Sequence, residues 1–472
     1  MPDTFHDPIQ PDELDGLFAR FAGRGPCALA VSGGSDSTGL MVLYADWLRR
    51  RRTDPGRCTV LTVDHRLRSS SADEARAVGA AAAELGFQHV TLIWEGAKPK
   101  AGIQAAARSA RYRLMGEYMR EHGISLLLTA HTRDDQAETL LMRLARGSGL
   151  DGLSAMAPLT PLGERGPGDG DAKDGGLWIG RPVLDVPKAC LQATLEARGI
   201  RWMEDPSNIA PEFERARLRA AREQLDVLGL TTDMLALSAA RLARARRAIE
   251  AVVDRLCEPQ ANVVTVDPCG VVLVDRVLLR EVAEEVALRV LERAILAAGG
   301  AGGRAPLSKL EAVLYGIWDT RSGAQARWTL ARALITAEAA TVRIERETGR
   351  QPLPELTLAA GETTLWDGRF QVTVGAGYAG GAAQIRALGD AGLRDLRRRR
   401  LIAAEAPTRA AATVPAFWRE RDIVAVPSLD YWGAGSGVEQ LEAEFIGLGN
   451  PRQSANAGVT ARDAAAARHR PT

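Results

Sequence analysis

The sequence predicts an α/β protein: a parallel sheet with helices on both faces, followed by a helical region and a smaller β-rich C-terminal domain. Three observations carry this. Short apolar runs at Cys27–Val31, Cys58–Val63, His89–Trp94 and Ile124–Ala130 alternate with helix-length segments, the pattern of strands buried on both faces. From Thr232 the texture changes to long Ala/Leu/Arg helices, about Met234–Leu256 and Arg280–Ala298, with strand-like Val263–Val266 and Val271–Val274 between them. β-Branched segments then gather at Gln325–Val342, Glu355–Leu365, Phe370–Val374 and Ile423–Pro427.

Taken in order, the first strand runs into Ser32-Gly33-Gly34-Ser35-Asp36-Ser37, and an apolar-periodic helix follows over Thr38–Leu48. Strand, glycine-rich turn and helix start form the setting in which backbone N–H groups converge on phosphate. Gly33 and Gly34 open backbone conformations closed to other residues. Ser32, Ser35 and Ser37 add hydroxyl donors, and the Asp36 carboxylate can hold Mg²⁺ against phosphate oxygens. A turn that merely caps a helix is the plainer reading, but the glycine pair, serines and acid together favour phosphate. No lysine follows, so this is not a P-loop of the Gly-x-x-x-x-Gly-Lys kind.

The second strand ends at Asp64-His65, and Ser71–Leu85 is an alanine-rich helix. After the third strand, the helix Ile103–His122 carries Arg108, Arg111 and Arg113, which suit a carboxylate, a phosphate or simply solvent. The fourth strand leads to His131 and a helix over Asp134–Arg146. There Asp135 and Glu138, three apart, share a helical face and suit an ammonium group, which offers only donors. The plainer reading, an acid complementing the helix dipole, is assigned to Asp134. Ligands of such sheets bind at the carboxyl ends of strands, so Ser32–Ser37, Asp64-His65 and His131–Asp135 are expected in one cleft.

Thr160–Gly176, rich in Gly, Asp and Pro, reads as a mobile insertion. A strand over Trp178–Val183 and a helix over Pro187–Arg198 follow, then irregular chain to Asn208 and a helix from about Glu212. Arg215, Arg217, Arg219 and Arg222, echoed by Arg241, Arg244, Arg246 and Arg247, are candidate phosphate contacts to a nucleic acid or a charged helix surface; Arg397–Arg400 is equally ambiguous. Residues 450–472 have few apolar residues besides alanine and are expected to be disordered.

The chain has 472 residues, 46% hydrophobic and 25% charged, with a net charge of +1. That is too long for one core and ordinary for a soluble globular protein. Five scattered cysteines without a C-x-x-C spacing suit a reducing cytosol. Met1–Asp15 lacks the regions of a signal peptide, and no apolar run approaches a membrane span. A cytoplasmic location, away from membranes, is therefore expected. Two Gly-x-Gly-x-x-Gly matches are set aside: Gly147–Gly152 follows a helix, and Gly375–Gly380 lies in β-rich surroundings without a βαβ unit.

The ordered set of motifs resembles the tRNA(Ile)-lysidine synthetase family within the PP-loop ATP pyrophosphatases, whose catalytic fold is Rossmann-like. The resemblance rests on Ser32–Ser37, Val63–Arg68, Gln104 with Ala107-Arg108 and Arg111-Tyr112, Ala130–Thr139, Arg143–Gly149, Arg181–Leu184 and Glu204–Asn208. It covers roughly the first 220 residues in the family's order, motif plus context rather than motif alone.

The resemblance implies adenylation of the C2 oxygen of the wobble cytidine in the CAU anticodon of an isoleucine tRNA, with release of pyrophosphate. The ε-amine of free L-lysine then displaces AMP to give lysidine. ATP and Mg²⁺ are implied as cofactors. On this reading Ser32, Gly33, Gly34, Ser35, Asp36, Ser37 and His131 bind ATP, and Asp36 holds Mg²⁺. Asp135 and Glu138 meet the lysine, Arg111 assists at substrate or phosphate, and Arg215 and Arg219 serve the transferring phosphate or the tRNA. The expected domains are 1–225 (PP-loop catalytic), 226–325 (mainly helical, linking and tRNA-binding), 326–449 (β-rich) and the tail 450–472. A homodimer is compatible with the family.

Two departures stand out. The family's histidine pair is His131-Thr132 here, and its Arg-Asn pair is Arg215-Ala216. The rival readings are a tRNA thiolase, disfavoured by the missing C-x-x-C, an ammonia-using synthetase, which needs a glutamine-cleaving partner, and an RNA-binding relative that has lost catalysis.

Overall fold

The structure, a computed structural model, describes residues 7–67, 71–99, 101–162, 176–204, 214–301, 303–321, 324–349, 352–403, 408–435 and 437–448. Arg68, most of the predicted insertion, Asp205–Asn208 and the tail from residue 450 lie outside them. The described chain forms two compact units, through Arg246 and from Arg247 onward.

The first unit contains α1 (Leu14–Phe18), β1 (Cys27–Ala30), α2 (Ser35–Arg50), β2 (Thr59–Asp64), α3 (Ser71–Glu84), β3 (Gln88–Ile93), α4 (Ile103–Glu121) and β4 (Leu126–Leu128). It continues through α5 (Arg133–Leu144), α6 (Leu150–Leu153), β5 (Leu159–Pro161), β6 (Trp178–Gly180), α7 (Lys188–Glu196), α8 (Glu214–Ala220) and α9 (Arg222–Val227). The helix α10 (Thr232–Leu256) begins in this unit and runs past Arg246.

The sheet has the order β3-β2-β1-β4-β6-β5, parallel from β3 to β6. Side chains alternate across it as the pleat requires. Leu29, Val31, Val60 and Leu128 join the core beneath α2, while Ala28, Leu61 and Leu127 pack with Met115 and Met119 of α4 on the other face. Both faces are dry, which is why these strands read as continuous apolar runs. β2 flanks β1 on one side and β4, reached only after β3, flanks it on the other, so the strand order reverses there and a crevice opens at the carboxyl end of β1.

One local expectation needs correction. Thr160 and Pro161 do not belong to an insertion: they lie in β5, an edge strand antiparallel to β6. Leu162 is buried and its N–H donates to the carbonyl of Leu177 at 2.9 Å.

The second unit begins with β7 (Val264–Val266), β8 (Val272–Asp275), α11 (Arg276–Glu281), α12 (Glu284–Gly299), α13 (Leu307–Asp319), β9 (Ala326–Leu330), β10 (Ala333–Ala337) and β11 (Thr341–Arg346). These strands form an antiparallel sheet, β7-β8-β11-β10-β9, which shares one core with α12 and α13. The single helix expected over Arg280–Ala298 is broken. Asp275 Oδ1 caps a new helix by accepting from the N–H groups of Val277 and Leu278 at 2.8 and 2.9 Å. The chain becomes extended at Val282 and turns helical again at Glu284.

The remainder comprises β12 (Leu356–Leu358), β13 (Thr363–Trp366), β14 (Phe370–Val374), β15 (Ala383–Ala387), α14 (Gly389–Arg398), α15 (Thr408–Ala412), β16 (Pro415–Arg419), β17 (Asp422–Val426), β18 (Tyr431–Trp432) and β19 (Leu441–Phe445). The sheets β12-β15-β16-β17-β18 and β13-β14-β19 enclose a second core. Gly375–Gly380 connects β14 to β15 and no helix follows it, so it is not a dinucleotide motif. The arginines Arg397 and Arg398 end α14, where Asp395 pairs with Arg398 and Arg399.

The two cores of this unit are joined at the Asp367-Gly368 turn between β13 and β14. Both residues have positive φ, 50° and 68°, the geometry of a tight primed hairpin turn. The turn lies directly against the end of α12: a Cβ on Gly300 would come 2.0 Å from the Asp367 carbonyl oxygen. The Asp367 carboxylate accepts from Arg346 Nε at 2.9 Å, Arg369 Nε at 2.8 Å and Arg332 Nη2 at 3.0 Å.

Among the described residues no helix is long and apolar enough to cross a membrane.

Candidate active site

The loop after β1 folds as its composition requires. Gly33 has φ +87°, in the left-handed region. Its carbonyl accepts the Met203 N–H at 2.9 Å, and a Cβ at this position would meet the Met203 methyl at 1.7 Å. Gly34 is the N-cap of α2, with its carbonyl accepting the Thr38 N–H at 3.0 Å. Ser37 Oγ donates to the Gly34 carbonyl at 3.1 Å and accepts the Ser32 N–H at 3.2 Å. Ser35 Oγ donates to Asp36 Oδ1 at 3.2 Å. The serines thus hold the turn while the first-turn N–H groups of α2, which have no intrahelical acceptor, remain available to an anion.

The α5 start builds the second wall. Thr132 is its N-cap, and Asp135 Oδ2 accepts the Thr132 N–H at 2.9 Å, completing a capping box. Asp134 and Asp135 both lie in the first turn of α5, where a negative charge complements the helix dipole. Asp134 also reaches across to α7, accepting the Lys188 N–H at 2.8 Å. Glu138, one turn on, is buried at 5% exposure.

Both acids are met by α8. Arg219 Nε and Nη2 donate to Glu138 Oε1 and Oε2 at 2.6 and 3.3 Å, a forked contact. Arg215 Nη1 lies 3.5 Å from Asp135 Oδ1, and its Nε 3.7 Å from Glu138 Oε2. On the loop side, Lys188 Nζ stands 3.4 Å from Asp36 Oδ2. Burial raises the Asp36 carboxyl above the usual carboxylate range; Lys188 opposes the shift and Asp135 adds to it. Burial likewise raises Glu138, against the pull of Arg219. The charge of Asp135 raises both Asp36 and Glu138, so the three acids share one electrostatic site.

His131, at the end of β4, is a neutral imidazole. Burial pushes its pKa down to about 3, with Asp135 opposing and Arg181, Arg108 and Arg215 reinforcing. Its Nδ1 is 2.9 Å from Thr129 Oγ1. Arg111, on α4, is felt at the end of β2. Its charge acts on His65, which burial, Arg111 and Lys98 hold down to about 4. Among the described residues neither ring nitrogen of His65 has a hydrogen-bond partner, and its ring meets Trp94 edge-on at 5.7 Å.

The structure thus brings together Ser32–Ser37, His131, Asp135, Glu138, Arg215 and Arg219, with Arg111 on the β2 side. Sequence reasoning missed Lys188, and it placed His65 in the cleft without assigning it chemistry. His65 stood within a quoted motif without a role, and Lys188 carried only the weak signal of being one of five lysines in an arginine-rich chain. Of the second arginine set, Arg246 faces Asp151 at 3.8 Å, while Arg241, Arg244 and Arg247 are exposed on α10.

The arrangement is suited to hold a polyphosphate at the α2 N-terminus and a cationic group at Asp135 and Glu138. A family model described as a PP-loop domain matches residues 10–224, and that domain implies ATP binding. The tRNA(Ile)-lysidine synthase of Bradyrhizobium diazoefficiens is 44% identical over 382 residues, covering 79% of this chain and 96% of that protein. Its namesake from a Methylobacterium species is 44% identical over 338 residues, covering 70% and 92%. That of Ruegeria pomeroyi is 35% identical over 421 residues, covering 88% and 92%. Similarity at this level across nearly the full length of these relatives means that the chain belongs to the tRNA(Ile)-lysidine synthase family.

Proposed function

We propose that the chain joins L-lysine to C2 of the wobble cytidine in the CAU anticodon of an isoleucine tRNA, at the expense of ATP. The observation that carries this reading is the meeting of two subsites in one crevice. A phosphate-binding loop lies at the end of β1, and an acid pair that accepts cations opens α5.

In the first step the cytidine O2 attacks the α-phosphorus of ATP, and pyrophosphate leaves with the bonding pair. In the second the deprotonated ε-amine attacks C2, and AMP leaves with the former O2. One proton is released over the two steps. Glu138, with its carboxyl raised by burial, suits the proton acceptor. The incoming ammonium takes the place of Arg215 or Arg219 at one of the carboxylates, and the displaced guanidinium is then free for phosphate. Arg111 and the neutral His131 line the substrate and nucleotide sides.

The residues also fit a divalent ion that arrives with the nucleotide. Asp36 offers one carboxylate beside the phosphate loop, and Mg²⁺ is commonly held by one or two carboxylates plus substrate phosphates. Among the described residues no cluster of three or more His, Cys, Asp or Glu would hold a metal without the substrate. When bound, Mg²⁺ neutralises phosphate charge. Arg241, Arg244 and Arg247, exposed on α10, are assigned to tRNA binding, and the antiparallel sheets from β7 onward to a β-rich accessory region. The protein works in the cytoplasm, as a monomer or homodimer.

The decisive experiment incubates purified protein with ATP, Mg²⁺, lysine and isoleucine tRNA bearing CAU. The anticodon cytidine should gain the mass of lysine less water; no gain under these conditions refutes the reading. Glu138→Gln should keep tRNA-stimulated ATP–pyrophosphate exchange but raise the KM for lysine by about 10- to 100-fold, the worth of a charge-assisted hydrogen bond. An unchanged lysine KM in steady-state assays would remove Glu138 from the amine subsite.

A further inference from the structure

The phosphate loop has no lysine of its own, yet one stands beside it. Lys188 is the first residue of α7, and its Nζ lies 3.4 Å from Asp36 Oδ2. Its place is fixed from two directions. Its N–H donates to Asp134 Oδ2 at 2.8 Å, which ties the start of α7 to the start of α5. Three residues on, the fully buried Leu191 packs against Gly39 of α2, where a Cβ would come within 3.3 Å of its side chain. The backbone of Lys188 is thereby held between the loop's own helix and the helix of the acid pair. Its side chain remains about one-third exposed, at 35%, so the ammonium faces open space beside the loop.

We propose that Lys188 is the pyrophosphate-binding residue of this site, with Asp134 as its positioning residue. The inference rests on the ATP-dependent activation of cytidine proposed above. When O2 attacks the α-phosphorus, the bond from that phosphorus to the bridging oxygen breaks and its electron pair leaves with the β-phosphate. Negative charge grows on the departing pyrophosphate, where a cation stabilises the transition state more than the ground state. An ammonium is a compact point charge with three rotatable donors, suited to several phosphate oxygens at once. Asp36 is its counter-ion in the structure; the nucleotide's oxygens compete for the same ammonium and release Asp36 for other work.

A lysine that merely neutralises Asp36 makes different predictions, so the two roles separate in ATP–pyrophosphate exchange run on the full-length chain with tRNA. K188M should lower exchange by about 100-fold and raise the KM for pyrophosphate, with the thermal midpoint and tRNA affinity unchanged. K188R, which keeps the charge, should recover most of the loss. D134A should raise the pyrophosphate KM with a smaller loss of kcat. If K188M leaves the pyrophosphate KM at the wild-type value and raises only the Mg²⁺ requirement, Lys188 is a counter-ion and the proposal is overturned. Should K188M fail to fold, D134A decides, and a wild-type pyrophosphate KM in that variant overturns it. Wild-type protein that forms no lysidine overturns the functional reading instead, independently of Lys188.

Discussion

Asp36→Asn lowers ATP–pyrophosphate exchange by about 10³-fold, the several kcal/mol that charge stabilisation at a phosphoryl centre contributes, and leaves the fold intact. The side chain keeps its shape, and its contact with Ser35 Oγ at 3.2 Å can be made by an amide oxygen. Asp36 and its partner Lys188 are both partly exposed, at 28% and 35%, so water takes over the lost pairing and the cost in stability stays small, about 1 kcal/mol or less. What disappears is the negative charge between the phosphate loop and Lys188. The check is exchange measured beside a thermal melt: lost exchange with an unchanged midpoint supports the assignment, whereas full exchange removes Asp36 from the site.

The same residue predicts a pH dependence. Burial raises the Asp36 carboxyl, partly offset by Lys188, and the charged form is the one adenylation requires. Exchange should therefore fall as pH drops through that raised value, earlier on the acid side than an ordinary aspartate would dictate. In Asp36→Asn the residual rate should lack this limb.

Asp367→Asn destabilises the second unit by about 3–5 kcal/mol, the cost of leaving buried charge uncompensated. Arg346 and Arg369 both bond the carboxylate from buried positions, at 2.9 and 2.8 Å, and Arg332 reaches it at 3.0 Å. Arg369 is fully buried, and burial pushes its guanidinium down to about 10 even with Asp367 beside it. Asparagine tolerates the left-handed turn conformation as well as aspartate does, so the loss isolates charge from backbone geometry. The urea midpoint followed by circular dichroism reads the effect. A shift worth less than about 1 kcal/mol would mean that the carbonyl oxygens around the arginines suffice without the carboxylate.

Much of the first unit was legible because its physics is local. Strands dry on both faces must be apolar throughout, and Gly33-Gly34 with flanking serines signals a turn at a helix start whatever surrounds it. The break at Val282 was obscured because Val282-Ala283 continues an apolar helical periodicity; the Asp275 cap starts α11 about two turns earlier, so two helices stand where one was expected. Residues 159–161 looked like the edge of a Gly/Pro-rich loop, and only pairing with β6 makes them a strand.

The sequence by itself determined the sheet, the phosphate loop and the two acids of α5, since each is encoded by neighbours within a few residues. Tertiary structure alone decided what those groups face. Arg219 comes 81 residues after Glu138 to meet it, Lys188 crosses from α7 to Asp36, and the charge of Arg111 on α4 reaches His65 at the end of β2. Charge partners are chosen by distance in space, and that distance is set by strand order and helix packing, which periodicity and propensity do not contain.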